Sequence, residues 1–203
     1  MRAFKKTLAF VLTLAMVFCM SIPTLVNAAD TIFSDVSSND WYADAVNYCS
    51  ENGLMNGTSE NVFSPDDEMT RAMLITVLYR KAGSPAVSGN TDFSDIVNGE
   101  WYSDAVLWGI QQGIINGYGN GLFGTDDSIS REQLVTILWR QAGSPLPENT
   151  NAFADSADIS DYAVSAVNWA YSAGIVSGMN DNSFAPTAAA TRAQVATVFM
   201  GIA

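Results

Sequence analysis

Apolar residues are placed along this chain in two ways. Between about Leu8 and Met20 they are nearly continuous, whereas from Thr31 onward they recur every three or four residues in short stretches broken by polar, turn-forming segments. In "TRAMLITVLYRKAG", which begins at Thr70, residues Met73, Leu74, Val77 and Leu78 mark one face of a helix. An earlier stretch, the Trp41–Glu51 region, puts Ala45, Val46 and Cys49 on one side and ends at Gly53, placed as a glycine after a helix should be. Between the two, "LMNGTSENVFSPDDEM" predicts loops and turns around Gly57. Gly83 closes the second helix, and Pro85 follows soon after.

This helix–loop–helix unit occurs three times. The copies open with "FSDVSSNDWYADAV" at Phe33, "FSDIVNGEWYSDAV" at Phe93 and "FADSADISDYAVSAV" at Phe153. Landmarks recur 60 and then 61 residues apart: Ala45, Ala105 and Ala166; Gly53, Gly113 and Gly174; Phe63, Phe123 and Phe184; Arg71, Arg131 and Arg192. One extra residue early in the third copy explains the longer step. "GSPAVSGNTD" and "GSPLPENTN" read as linkers, which sets the units at residues 31–88, 89–149 and 150–203. Two short helices with one apolar face cannot bury enough surface alone, so the copies are expected to pack on one another. A pseudo-threefold assembly is the simplest arrangement, and a linear stack satisfies the same logic. The expected fold class is mainly α.

The continuous apolar run belongs to a different kind of segment. Arg2, Lys5 and Lys6 precede it, and a Pro-containing polar stretch ending in Val26-Asn27-Ala28 follows. That layout predicts a secretory signal peptide over residues 1–28 and an exported chain with no membrane segment after cleavage. Removing three of the nine cations leaves six against 21 acids, a formal charge of −15 in place of −12. So acidic a surface excludes nucleic acid as the main partner. Histidine is absent, which excludes His-based triads and imidazole acid–base chemistry. With Cys49 the single remaining cysteine, no intramolecular disulfide forms. Neither a metal nor a cofactor is called for.

Against that background the placement of arginine is informative. Thr70, Ser130 and Thr191 read as N-caps of the second helices, with Gln133 and Gln194 completing capping boxes. Arg71, Arg131 and Arg192 then stand at the first helical position, where the helix dipole disfavours a cation. Beside free backbone N–H groups, a guanidinium there makes an anion site suited to carboxylate or phosphate. The alternative is an internal ion pair with the recurring Asp35, Asp95 and Asp155. Arg80 and Arg140 lie in last turns, where the dipole favours them. Trp41, Trp101 and Tyr162 open the first helices, either as core or as platforms on which a sugar ring stacks. Phe63, Phe123, Phe184, Trp108 and Trp169 read as core, and Cys49, aligned with Gly109 and Ala170, as a small packing residue.

These motifs together ("FSDV", "WYADAV", "GLMNG", "FSPDDEMTRA") resemble the S-layer homology (SLH) domain in its usual arrangement of three tandem copies, over about Thr31 to Ala203. The resemblance implies a three-pronged assembly around a central helical bundle, with ligand grooves between prongs. It implies a secreted bacterial protein held on the cell wall through a secondary cell-wall polysaccharide, commonly capped by a pyruvylated amino sugar. Carried over by motif, the ligand-binding residues are Arg71, Arg131 and Arg192; Asp35, Asp95 and Asp155; Trp41, Trp101 and Tyr162; and Gly57, Gly117 and Gly178. The chain departs from the family pattern at Met73, Gln133 and Gln194, where an acid is usual. The second copy reads "SRE", and the third has Tyr162 for Trp. These departures predict weakened grooves, the third copy's aromatic above all.

Three functions remain open from sequence. The preferred one is a noncatalytic wall anchor in the bacterial cell wall or surface, with surface-layer proteins as further partners. A structural protein that self-associates in a surface layer is the alternative. A glycosidase needs two carboxylates across a sugar cleft, and no unrepeated acidic cluster stands out for that role.

Overall fold

The computed structural model describes residues 32–179 and 181–203, so the signal-peptide expectation lies outside the described residues. The described chain forms six α-helices: α1 (Ala43–Glu51), α2 (Arg71–Lys81), α3 (Ser103–Gln111), α4 (Arg131–Gln141), α5 (Val164–Ser172) and α6 (Arg192–Gly201). Each copy contributes two. A single 3-10 turn, Ser156–Asp158, sits in the opening of the third copy, where the extra residue falls. The first helices begin a little later than the sequence pattern suggests. Trp41 stays in the preceding turn, because Ala43 N–H already donates back to the Asp40 carbonyl at 3.0 Å.

The second helices start as expected. Thr70 accepts from Met73 N–H, and Ser130 and Thr191 form full capping boxes with Gln133 and Gln194. Beyond those caps the predicted picture changes. The first two N–H groups of each second helix are not free. Arg71 and Ala72 donate to the carbonyls of Asp127 and Thr125 in the second copy. Arg131 and Glu132 donate to Ala188 and Pro186 in the third, and Arg192 and Ala193 donate to Asp67 and Pro65 in the first. Orphan donors at a helix start must find partners somewhere, and here the next copy supplies them.

The copies therefore close on one another. Met69 N–H donates to Ala190 O at 2.9 Å, Ala190 N–H to Ile129 O at 2.8 Å, and Ile129 N–H to Met69 O at 2.8 Å. These three buried, equivalent residues form a ring of backbone hydrogen bonds. The helices pair in the same cyclic order, α2 with α3, α4 with α5 and α6 with α1. Closure of α6 onto α1 excludes a linear stack, which would leave those two helices apart.

The core follows from this pairing. Phe63, Phe123 and Phe184 are completely enclosed, and Trp108 is buried, while Trp169 is half-buried at the edge. Cys49 packs under α6 with its thiol 3.6 Å from the Ala196 carbonyl, and burial pushes that thiol up to about 12. Its role is packing. Among the described residues no helix is long and apolar enough to cross a membrane.

Candidate functional site

Each of the three buried phenylalanines is held at both ends of its peptide unit. Asp35 lies in the opening turn of the first copy, and its two carboxylate oxygens accept from Phe63 N–H at 2.8 Å and Ser64 N–H at 2.7 Å. Asp95 does the same for Phe123 and Gly124, and Asp155 for Phe184 and Ala185. Ser64, Gly124 and Ala185 adopt φ of 57°, 82° and 54°, the left-handed turn that aims two successive N–H groups at one anion. The carboxylates therefore serve the loop of their own copy. Burial works against their ionisation, but the donated hydrogen bonds outweigh it and hold all three below the ordinary carboxylate value.

The arginines grip the other end of the same phenylalanines, from the preceding copy. Arg71 Nε donates to the Phe123 carbonyl at 2.9 Å, Arg131 Nε to Phe184 at 2.6 Å and Arg192 Nε to Phe63 at 2.7 Å. Arg71 and Arg192 also donate through Nη2 to the carbonyls of Asn116 and Asn56. Each guanidinium lies over the ring of its phenylalanine at 4.5–5.1 Å, and Arg71 also over Tyr118 at 4.8 Å. The internal partner of the arginine is thus a backbone carbonyl. In place of the alternative Arg–Asp ion pair, both groups clasp one peptide from opposite sides. Carbonyl dipoles and ring faces also explain how a cation is tolerated at a helix start, though burial still lowers the pKa of each guanidinium.

Three grooves lie beside these clamps, and every one is assembled from all three copies. The first combines Arg71, the Asn116–Gly117–Tyr118 loop, the α4 face with Gln133 and Arg140, and Tyr162; its volume is about 300 Å³. The second combines Arg192, Asn56–Gly57, the α2 face with Met73 and Arg80, and Trp101, at about 230 Å³. The third combines Arg131, Ser177–Gly178, the α6 face with Gln194 and Thr197, and Trp41, at about 620 Å³. The predicted arginine, glycine and aromatic positions share grooves, but across copies, whereas Asp35, Asp95 and Asp155 hold the phenylalanine loops and are not among the groove-lining residues. Arg71 meets Gly117 and Tyr162, not Gly57 and Trp41.

The aromatic and glycine positions resolve differently. Trp41, Trp101 and Tyr162 are exposed by 67, 57 and 50%, so they are groove walls and not core. Gly57 and Gly117 are glycine for lack of space. A Cβ on Gly117 would lie 2.3 Å from the Phe93 ring and 2.4 Å from the Leu122 carbonyl, and one on Gly57 would meet similar obstacles. Gly178 is less confined, its nearest neighbour being Asn182 at 3.1 Å.

Sequence reasoning missed Arg140, Arg80 and Tyr118. The two arginines were explained by the helix dipole alone, although the spacing of Gln133, Thr136, Ile137 and Arg140 does place them on one helical face. Of the six cations in residues 32–203, five line a groove, and the described residues that line the three include no Asp or Glu. A strongly acidic protein thus keeps its few positive charges in three concave, aromatic-walled sites. Such sites suit an anionic group attached to a ring that can stack.

Three segments of the chain, residues 32–72, 92–135 and 152–196, match the family described as the S-layer homology domain. Over 89% of its length the chain is 31% identical to the exoglucanase XynX of Acetivibrio thermocellus, of which it spans 17%. Over 85% it is 32% identical to the amylopullulanase of Thermoanaerobacterium thermosulfurigenes, of which it spans 10%. Over 67% it is 32% identical to the S-layer protein sap of Bacillus anthracis, of which it spans 16%. The chain is therefore similar to less than a fifth of each of these proteins, and to parts of proteins with unrelated names.

Proposed function

The chain belongs to the S-layer homology family, and from that membership we propose that it is a noncatalytic module anchoring protein to the bacterial cell surface. The finer reading is that its three grooves bind an acidic glycan of the wall, a secondary cell-wall polysaccharide with a pyruvylated amino sugar as the recognised unit. One observation carries this reading: five of the six cations in residues 32–203 line the grooves, while the described lining residues include no carboxylate. A ketal-linked pyruvate offers a carboxylate to the guanidinium, and its sugar offers a face to Trp41, Trp101 or Tyr162. A lining without Asp or Glu also supports a binding role over glycoside hydrolysis, which uses a carboxylate pair. The acidic exterior repels a polyanion at long range, so recognition is local and salt weakens it only modestly.

The test is co-sedimentation with purified wall sacculi before and after removal of pyruvyl groups. Wild type is compared with Trp41→Ala and Trp101→Ala, which alter exposed groove walls, and with Arg140→Ala. Pelleting that depends on pyruvate and falls in these variants supports the reading. Pelleting indifferent to pyruvate overturns the ligand. Self-association on gel filtration without glycan would favour the surface-layer alternative instead.

A further inference from the structure

Two of the departures expected to weaken the grooves, Glu132 in the "SRE" of the second copy and Tyr162 in the third, turn out to meet. Glu132 occupies the place of Ala72 and Ala193 in the other copies and is only 4% exposed. It accepts three hydrogen bonds from the third copy: Ser160 N–H at 3.0 Å, Ser160 Oγ at 2.8 Å and the Tyr162 hydroxyl at 2.9 Å. Tyr162 is thereby fixed in the wall of the Arg71–Arg140 groove, whereas Trp101 and Trp41 pack edge-on against Tyr102 and Tyr42 at 5.2 Å. Because the phenol proton points to Glu132, the oxygen can only accept from a ligand. Burial and the Glu132 hydrogen bond raise the phenol pKa well above its usual value, so this polarity holds at physiological pH.

We propose that Glu132 is a positioning residue that makes the Arg71–Arg140–Tyr162 groove selective for a glycan unit bearing a hydrogen-bond donor beside its carboxylate. This inference rests on the acidic-glycan reading above. The two tryptophan grooves accept the carboxylate and the ring face but lack this fixed acceptor. Tyr162 is then not a degraded tryptophan; it is half of a paired change with Glu132.

The experiment uses the full chain and a pyruvyl-ketal N-acetylhexosamine methyl glycoside, followed by NMR. Ring signals of isotope-labelled Tyr118 and Tyr162 report the selective groove, and the indole N–H signals of Trp41 and Trp101 report the others. Two analogues keep the carboxylate: one has its free hydroxyl methylated, the other its acetamide nitrogen. One of them should bind the Tyr162 groove up to about tenfold more weakly, the scale of one hydrogen bond, and which one identifies the donor. Tyr162→Phe, at a half-exposed position, should weaken the parent compound by the same factor and abolish the discrimination. Glu132→Ala should also lose it, whereas Glu132→Ala/Tyr162→Trp should recover carboxylate-dependent binding without discrimination. Equal treatment of all three compounds in the Tyr162 groove, or full discrimination in Glu132→Ala, overturns the proposal alone. Absence of any shift with the parent compound overturns it together with the glycan reading.

Discussion

Arg71 Nε donates to the carbonyl of Phe123, 52 residues further along the chain, at 2.9 Å, with the guanidinium 4.7 Å above the Phe123 ring. One side chain thus joins the start of α2 to the loop of the next copy, and the same residue lines a groove. Lysine keeps the charge but loses the planar fork and the stacking. Arg71→Lys is expected to cost about 1–3 kcal/mol, because the Phe123 and Asn116 carbonyls lose their buried donor. Urea denaturation measures this, and an unchanged midpoint would show that the clamp is dispensable.

Cyclic closure has a consequence for truncation. Ending the chain after residue 149 removes α6, the partner of α1, and takes Ala190 out of the Met69–Ile129–Ala190 ring. Additive nearest-neighbour stability, as in an open solenoid, would leave the first two copies folded. Here the fragment is expected to lose its sigmoidal thermal transition by circular dichroism. A fragment that melts cooperatively near the full-length temperature would argue that the ring contributes little.

Acid should act through the three loop aspartates. Desolvation raises the pKa of Asp35, Asp95 and Asp155, but the backbone donors outweigh it and bring each below 3.8. A depressed carboxyl contributes stability above its unfolded pKa and loses it as pH falls through the folded value. The urea midpoint should therefore stay level down to about pH 5 and fall below about pH 4. Asp95→Asn lowers stability at neutral pH and makes the acid decline shallower. An acid limb of the same steepness in that variant would mean that other groups titrate.

The glycines of the grooves should separate into two classes. Gly117→Ala forces a Cβ against the Phe93 ring and the Leu122 carbonyl, and is expected to cost about 1–3 kcal/mol as an overpacked site. It should also displace the Asn116 carbonyl that Arg71 holds, weakening binding in that groove. Gly178→Ala meets its nearest atom at 3.1 Å and should be milder on both counts. Equal effects at the two positions would show that the crowding is relieved elsewhere.

Much was determined by the sequence alone. The threefold repeat, the hydroxyl caps with Gln133 and Gln194, the buried Phe63, Phe123 and Phe184 and the packing role of Cys49 follow from spacing, residue chemistry and the alignment of the copies. The tertiary structure decided which copies cooperate. It gave the helix-start N–H groups and the guanidinium to carbonyls of the next copy, and it grouped Arg71 with Gly117 and Tyr162. Repeat symmetry is silent on that choice, because equivalent residues satisfy the same pattern whether a copy folds on itself or on its neighbour. Closure settles it: the first two N–H groups of α2, α4 and α6 find their acceptors only when each copy leans on the next.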